Sequence, residues 1–112
     1  MLHRFILSTL FISLVFCQYD YVLEDINPSS EYYEESVGTS YFPNQVTLHY
    51  FGHYNWGTCT ARFGQLNDLY EDLSSQGYDK LKLIGVGKSQ YMNWLDNWID
   101  GNDVSVCADQ SG

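Results

Sequence analysis

The residues best suited to redox chemistry in this chain are its cysteines, Cys17, Cys59 and Cys107. Cys59 follows an aromatic loop and precedes a stretch with helical periodicity, which places it at the start of a predicted helix. Backbone dipoles and free N–H groups at a helix N-terminus favour a thiolate nucleophile. Cys59 is therefore the candidate reactive thiol, and His53 in the same loop is a candidate assisting group.

Two other interpretations of Cys59 remain open at this stage. It is either a buried, inert thiol on the first helical turn or half of a disulfide with Cys107, which requires the two Cα atoms to come within about 7 Å. His49 and His53 have no third ligand at a suitable spacing, so the sequence predicts no metal site.

The N-terminal segment, residues 1–17, has the pattern of a signal peptide. His3 and Arg4 precede an apolar run that is too short to span a bilayer, and cleavage before Gln18 would remove Cys17. We therefore expect a secreted, extracellular product with no membrane segment after signal removal. Its oxidising environment would permit a disulfide.

The segment 18–43 is acidic and rich in tyrosine. It contains six carboxylates, five tyrosines and no lysine or arginine, a composition that predicts a mostly disordered leader. The chain after residue 17 has four basic and 14 acidic side chains, a formal charge of −10. Such a charge makes nucleic acid a poor partner.

The residues after Pro43 alternate between strand-like and helix-like patterns. The expected elements are a strand at 46–51, a helix from Cys59 to Gly77 capped by Thr58, a strand at 80–87, a helix at 90–100 and a strand at 104–107. The first strand has little polar alternation, which predicts burial on both faces. In the second helix, Tyr91, Trp94 and Trp98 are expected to pack on the sheet. The order predicts an α/β fold with a β-α-β-α-β core and parallel strands.

A strand, a short loop and a cysteine at a helix N-terminus form the thioredoxin-like layout, and the stretch 46–86 resembles the N-terminal domain of selenoprotein P. The matching features are the Val46-Thr47 strand start, Cys59, the Leu66-x-Asp68-Leu69-x-x-x-Leu73 stripe, Gly77-Tyr78 and Ile84-x-Val86. Residues 104–109 are similar to the short strand that follows the second helix in selenoprotein P and in peroxiredoxins.

The resemblance implies that 44–112 is a partial thioredoxin-like domain that lacks the family's C-terminal β-hairpin and helix. The first strand would then leave an open sheet edge, with 38–42 as a candidate cover. In Trp56-Gly57-Thr58-Cys59, the family's attacking selenocysteine or cysteine falls at Trp56, and Cys59 corresponds to the resolving thiol. The redox motif is therefore degenerate.

Two functions follow as expectations. The first is a secreted, non-catalytic binding module with an unknown protein or small-thiol partner. The alternative is an extracellular antioxidant oxidoreductase that uses Cys59, or a selenocysteine whose UGA codon has been read as Trp56. Selenium is implied only by the family resemblance, and the residues themselves indicate no cofactor.

Overall fold

A computed structural model of the protein describes residues 20–110, so the predicted signal peptide lies outside the described residues. The elements are β1 (Val22–Glu24), β2 (Ser36–Gly38), β3 (Val46–Gly52), α1 (Gly57–Ser75), β4 (Leu81–Lys88), a 3-10 helix (Ser89–Trp94), α2 (Asp96–Ile99) and β5 (Ser105–Asp109). Strands β1 and β2 form an antiparallel hairpin, and β3, β4 and β5 form a second sheet.

The main sheet has the order β3-β4-β5, and both strand pairs are parallel. This confirms the predicted α/β core with parallel strands. The central strand β4 is buried from Leu83 to Gly87, as expected for a parallel strand that is covered on both faces. The polar start and apolar continuation of β4 explain why its position could be predicted from the sequence.

Helix α1 covers one face of the sheet, which we call the helix side. It begins at Gly57 after the N-cap residue Trp56, so the expectation that Thr58 caps the helix is wrong. It ends at Ser75, and Gly77 adopts a φ of 94°, a left-handed conformation that glycine adopts without strain. No helix among residues 20–110 has the length and apolar character needed to cross a membrane.

The core on the helix side is a cluster of aromatic rings. Phe63 and Trp98 stack with centroids 4.6 Å apart, and Tyr54 meets Trp98 edge-on at 5.0 Å. Two glycines of β4 make room for these rings. A Cβ at Gly85 would lie 2.5 Å from the Phe63 ring, and one at Gly87 would lie 2.2 Å from Tyr54.

The second predicted helix, 90–100, is two short helices. Tyr91 has non-helical backbone angles (φ −108°, ψ 21°), and α2 extends only from Asp96 to Ile99. Trp98 packs on the sheet as expected, whereas Trp94 is 54% exposed. The break turns Trp94 away from the apolar stripe that a continuous helix would have formed.

The expectation that the strand at 46–51 is buried on both faces is wrong, because β3 is an edge strand. Val46 is 67% exposed and Phe51 is 65% exposed. Apolar sequence alone does not distinguish an edge strand from a central one, since the difference lies in what packs beside it.

The segment predicted to be a disordered leader is folded from residue 20 onward. The β1–β2 hairpin lies on the face opposite α1, which we call the hairpin side, where Val37 and Phe42 join Ile84, Val86 and Cys107 in a second core cluster. The composition was misleading because Tyr21, Leu23 and Tyr32 also pack against this cluster. Composition reflects local charge, whereas the order of this segment depends on contacts with residues distant in the sequence.

The segment 25–27 covers the outer edge of β5. The Ile26 N–H donates to the Val106 carbonyl at 2.8 Å, and the Val106 N–H donates to Asp25 Oδ1 at 3.2 Å. The Asn27 side-chain amide donates to the carbonyls of Asn102 and Val104 at 2.9 and 2.8 Å. The acidic segment therefore closes one edge of the main sheet.

Candidate functional site

The candidate site lies where the parallel strands end and the loop 53–56 leads from β3 into α1. The Trp56 N–H donates to the His53 carbonyl at 3.3 Å, and the Thr60 N–H donates to the Trp56 carbonyl at 3.0 Å. Trp56 has extended backbone angles and no side-chain capping bond. The N–H groups of the first helical turn therefore point toward this loop. Carboxyl ends of parallel strands are the usual location of sites in open α/β sheets.

Three rings form the surface of the site, and we call them the aromatic rim: His53, Trp56 and Tyr91. The rings of His53 and Trp56 stack at 4.7 Å with an interplanar angle of 13°. The Tyr91 ring also lies near His53, with centroids 4.9 Å apart and an interplanar angle of 42°. Trp56 is 57% exposed, so an indole face is presented to solvent at the position that the family resemblance assigns to the attacking residue.

Cys59 lies behind the aromatic rim, in the first turn of α1. It is half-buried and packs against the aromatic core. A Cβ at Gly52 would lie 3.2 Å from Cys59 Sγ and 3.1 Å from the Trp98 ring. The thiol is therefore held between β3 and the core, on the helix side of the sheet.

Cys107 lies on the opposite side of the sheet, and the two thiols are free. The proposed Cys59–Cys107 disulfide is not formed, because successive residues of β5 face opposite sides and place Val106 in the aromatic core and Cys107 in the hairpin-side cluster. Burial, with a smaller contribution from Asp25, raises the pKa of Cys107 to about 12. Cys107 is thus protonated at neutral pH, and its position on the opposite side of the sheet keeps it away from Cys59.

A small cavity of about 200 Å³ opens beside the aromatic rim at the ends of β3, β4 and β5. Phe51 and His53 line it on one side, and Lys88 and Asp109 lie at the ends of the two neighbouring strands. Lys88 and Asp109 are register partners in the sheet. The cavity combines an apolar wall with groups of both charges, which suits a contact with a polar side chain.

Two residues that hold the site were missed in the sequence. Tyr54 is fully buried, and its hydroxyl donates to the Cys107 carbonyl. The Asn97 amide donates to the Tyr54 carbonyl at 2.9 Å and so ties the loop to α2. Burial raises the pKa of Tyr54. The glycine at 87, opposite this ring, was the sequence signal that a large side chain approaches the strand closely.

His49 and His53, the histidines of β3 and the loop, have no metal-ligand set around them in the part of the chain that the structure describes. Among residues 20–110, no group of three or more His, Cys, Asp or Glu side chains is arranged to hold an ion. His49 instead contacts the Tyr21 hydroxyl through Nδ1 at 2.5 Å, and burial lowers the pKa of His49. This contact links β3 to the hairpin side.

Neither the known protein-family models nor the curated proteins contain a match to this chain. Interpretation of the site therefore depends on its geometry. The site combines an exposed indole, a stacked imidazole and a half-buried thiol, whereas thiol exchange requires an exposed thiolate and a second thiol within reach.

Proposed function

We propose that this protein is a secreted thioredoxin-like domain, similar to the N-terminal domain of selenoprotein P, that binds a protein partner through its aromatic rim without catalytic turnover. The parallel β3–β4 pair joined through α1, with a cysteine in the first turn of that helix, supports the thioredoxin-like assignment. The exposed Trp56 ring, stacked on His53, is the observation on which the binding function depends.

The arrangement of the thiols argues against turnover. Cys59 is half-buried, with its Sγ 3.2 Å from the position that a Cβ at Gly52 would take, and Cys107 is buried on the other side of the sheet. A dithiol cycle needs one thiolate to attack and another to resolve the mixed disulfide. Exposed tryptophan is, by contrast, among the residues that contribute most to binding at protein interfaces.

The catalytic part of this proposal is tested with insulin-disulfide reduction and peroxide consumption. We expect the wild type and Cys59→Ser to give the same rate as buffer with the reductant alone. A rate that is present in the wild type and lost in Cys59→Ser would contradict the proposal.

The binding part is tested by selecting a phage-displayed peptide library on the immobilised protein. We expect the wild type to enrich peptides with an apolar anchor, and Trp56→Ala to weaken their binding at least about tenfold. Tyr78→Ala is the matched control, because Tyr78 is 63% exposed and lies beyond the other end of α1. Equal enrichment on the wild type and Trp56→Ala would rule out the aromatic rim as the binding surface.

The second candidate function is a selenol oxidoreductase in which position 56 is selenocysteine. The exposure of this position, beside His53 and at the uncapped start of a 19-residue helix, favours it. A selenolate there would attack a disulfide and release one thiolate. Cys59 would then release the second thiolate by closing a selenosulfide with position 56.

The two candidates are separated by the transcript at codon 56 and by the mass of the protein from its native source. We expect UGG and a tryptophan mass under the binding proposal. A UGA codon with selenium in the protein would replace the binding proposal with the oxidoreductase.

A further inference from the structure

The two edges of the main sheet differ in what covers them. The outer edge of β5 receives hydrogen bonds from the segment 25–27. Within residues 20–110, no strand pairs with the outer edge of β3. An unpaired edge that lacks proline, charge and bulges is a template for adding another strand, and β3 is a continuous seven-residue strand without a charged side chain.

The backbone groups on this edge can be assigned from the strand register. The Val46 N–H donates to the Lys80 carbonyl at 2.7 Å, so Val46 directs its backbone toward β4. Backbone direction alternates along a strand. The N–H and C=O groups of Thr47, His49 and Phe51 therefore point outward, away from the sheet.

We propose that β3 of a second copy of this chain pairs antiparallel with β3. The two-fold axis of this dimer passes between the two copies of His49. In that register Thr47 faces Phe51 of the second copy, and His49 faces its own equivalent. The three outward-facing residues each meet an outward-facing residue, which gives two hydrogen bonds in each of three pairs. The product is a continuous six-stranded sheet, and the proposal is independent of the function assigned to the aromatic rim.

The side chains of β3 are complementary to themselves in this register. Val46 would meet Gly52 of the second copy, and Leu48 would meet its Tyr50. Leu48 is 42% exposed and Val46 is 67% exposed, so pairing would bury apolar surface of both side chains. The Leu48–Tyr50 pair would add apolar contact between directly opposite side chains, the kind of contact that stabilises antiparallel strands.

The charge distribution favours a second copy at this edge over contact elsewhere. The stretch between Glu35 and Asp68 contains no carboxylate, and Arg62 is the one lysine or arginine in that stretch. The rest of the secreted chain carries all 14 acidic side chains. Two copies therefore repel each other through their net charge, but β3 itself has no carboxylate, so the paired strands would not bring like charges face to face.

The first test is the association state of residues 18–112, measured by sedimentation equilibrium from about 1 μM to about 1 mM. We expect a dimer with a dissociation constant on the order of 10 μM, since the interface is small. Leu48→Lys should raise this constant at least about 100-fold, because it buries a charge without a partner.

Met92→Lys is the matched control, because Met92 is 39% exposed and lies in the β4–β5 connection. It should leave the dissociation constant unchanged, and circular dichroism should show that both variants are folded. A monomer at the highest concentration, or a dimer equally weakened by both variants, would overturn the proposal.

The second test fixes the register. His49→Cys places two thiols on the axis, where Cα atoms about 5.5 Å apart suit a disulfide. Thr47→Cys places them about 14 Å apart, which is too far. Oxidised glutathione accepts the two electrons, so we expect a cross-linked dimer for His49→Cys and only the wild-type background for Thr47→Cys. Equal cross-linking of both variants would overturn this register.

Discussion

The two sides of the main sheet are stabilised in different ways. The helix side is an aromatic core in which Trp98 contacts the rings of Tyr54 and Phe63. The hairpin side combines a smaller apolar cluster with polar groups, above all the fully buried Asp25. The comparison shows that a small acidic chain can cover its second face with a segment whose composition is that of a disordered leader.

The hairpin side depends on hydrogen bonds that converge on one carboxyl group. Asp25 Oδ1 accepts from the Asn27 and Val106 N–H groups at 3.0 and 3.2 Å, and Oδ2 accepts from the Ser30 hydroxyl at 2.6 Å. These bonds satisfy a group that would otherwise be costly to bury. They also hold the β1–β2 hairpin against β5.

The largest expected effect on stability is on the helix side, at Trp98. Trp98→Ala should reduce the free energy of unfolding by about 4 kcal/mol, because it removes a fully buried indole and leaves a cavity. Urea denaturation followed by circular dichroism measures the change.

Trp98→Phe is the control for this variant. It retains a ring beside Phe63 and removes Nε1, a buried donor without a hydrogen-bond partner among residues 20–110. We expect about half the loss of Trp98→Ala. Equal losses for the two variants would show that the aromatic contacts do not account for the stability of this side.

The second-largest expected effect on stability is on the hairpin side, at Asp25. Asp25→Ala should cost about 3 kcal/mol, because three donors lose their acceptor in a buried position. Hydrogen exchange should then become fast in β1 and β2 while β4 remains protected.

Asp25→Asn is the conservative partner of that variant. Its Oδ1 still accepts from two backbone N–H groups, so the expected cost is about 1 kcal/mol. If Asp25→Ala left the exchange of β1 and β2 unchanged, the hairpin would be held by its apolar contacts and not by this carboxyl group.

The smallest effect is the pH dependence of the hairpin side, through Cys107. Its pKa is raised from 9.0 to about 12 in the folded protein, so the unfolded chain releases the thiol proton first as pH rises. The stabilisation is complete below pH 9 and is lost progressively as pH rises toward 12. At pH 10 we expect a loss of about 1 kcal/mol, allowing for partial solvation.

Cys107→Ala should flatten this alkaline loss, as measured by urea denaturation at a series of pH values. Tyr21 and Tyr54 also have pKa values raised by burial, so a part of the decline above pH 10 should persist in the variant. Parallel curves for the wild type and Cys107→Ala would show that this thiol ionises equally in both states.

Much of the fold could be predicted because its signals are local. The helix ends close to Gly77, where a left-handed backbone is required, and β4 was recognised from its apolar run. The sequence also predicts that His53 and Trp56 share one loop, but it does not specify that their rings stack. Ring contacts depend on side-chain orientation, which spacing along the chain does not fix.

The order of the elements after Pro43 and the position of Cys59 in the first turn of α1 could be predicted from the sequence, whereas the β1–β2 hairpin could not. Three features depend on the tertiary fold: Cys59 and Cys107 face opposite sides of the sheet, the acidic segment from residue 20 is folded, and β3 is an edge strand. The physical reason is that side chains alternate along each strand with a period of two. The face on which a residue is buried is therefore set by register and by distant partners, not by its neighbours in the chain.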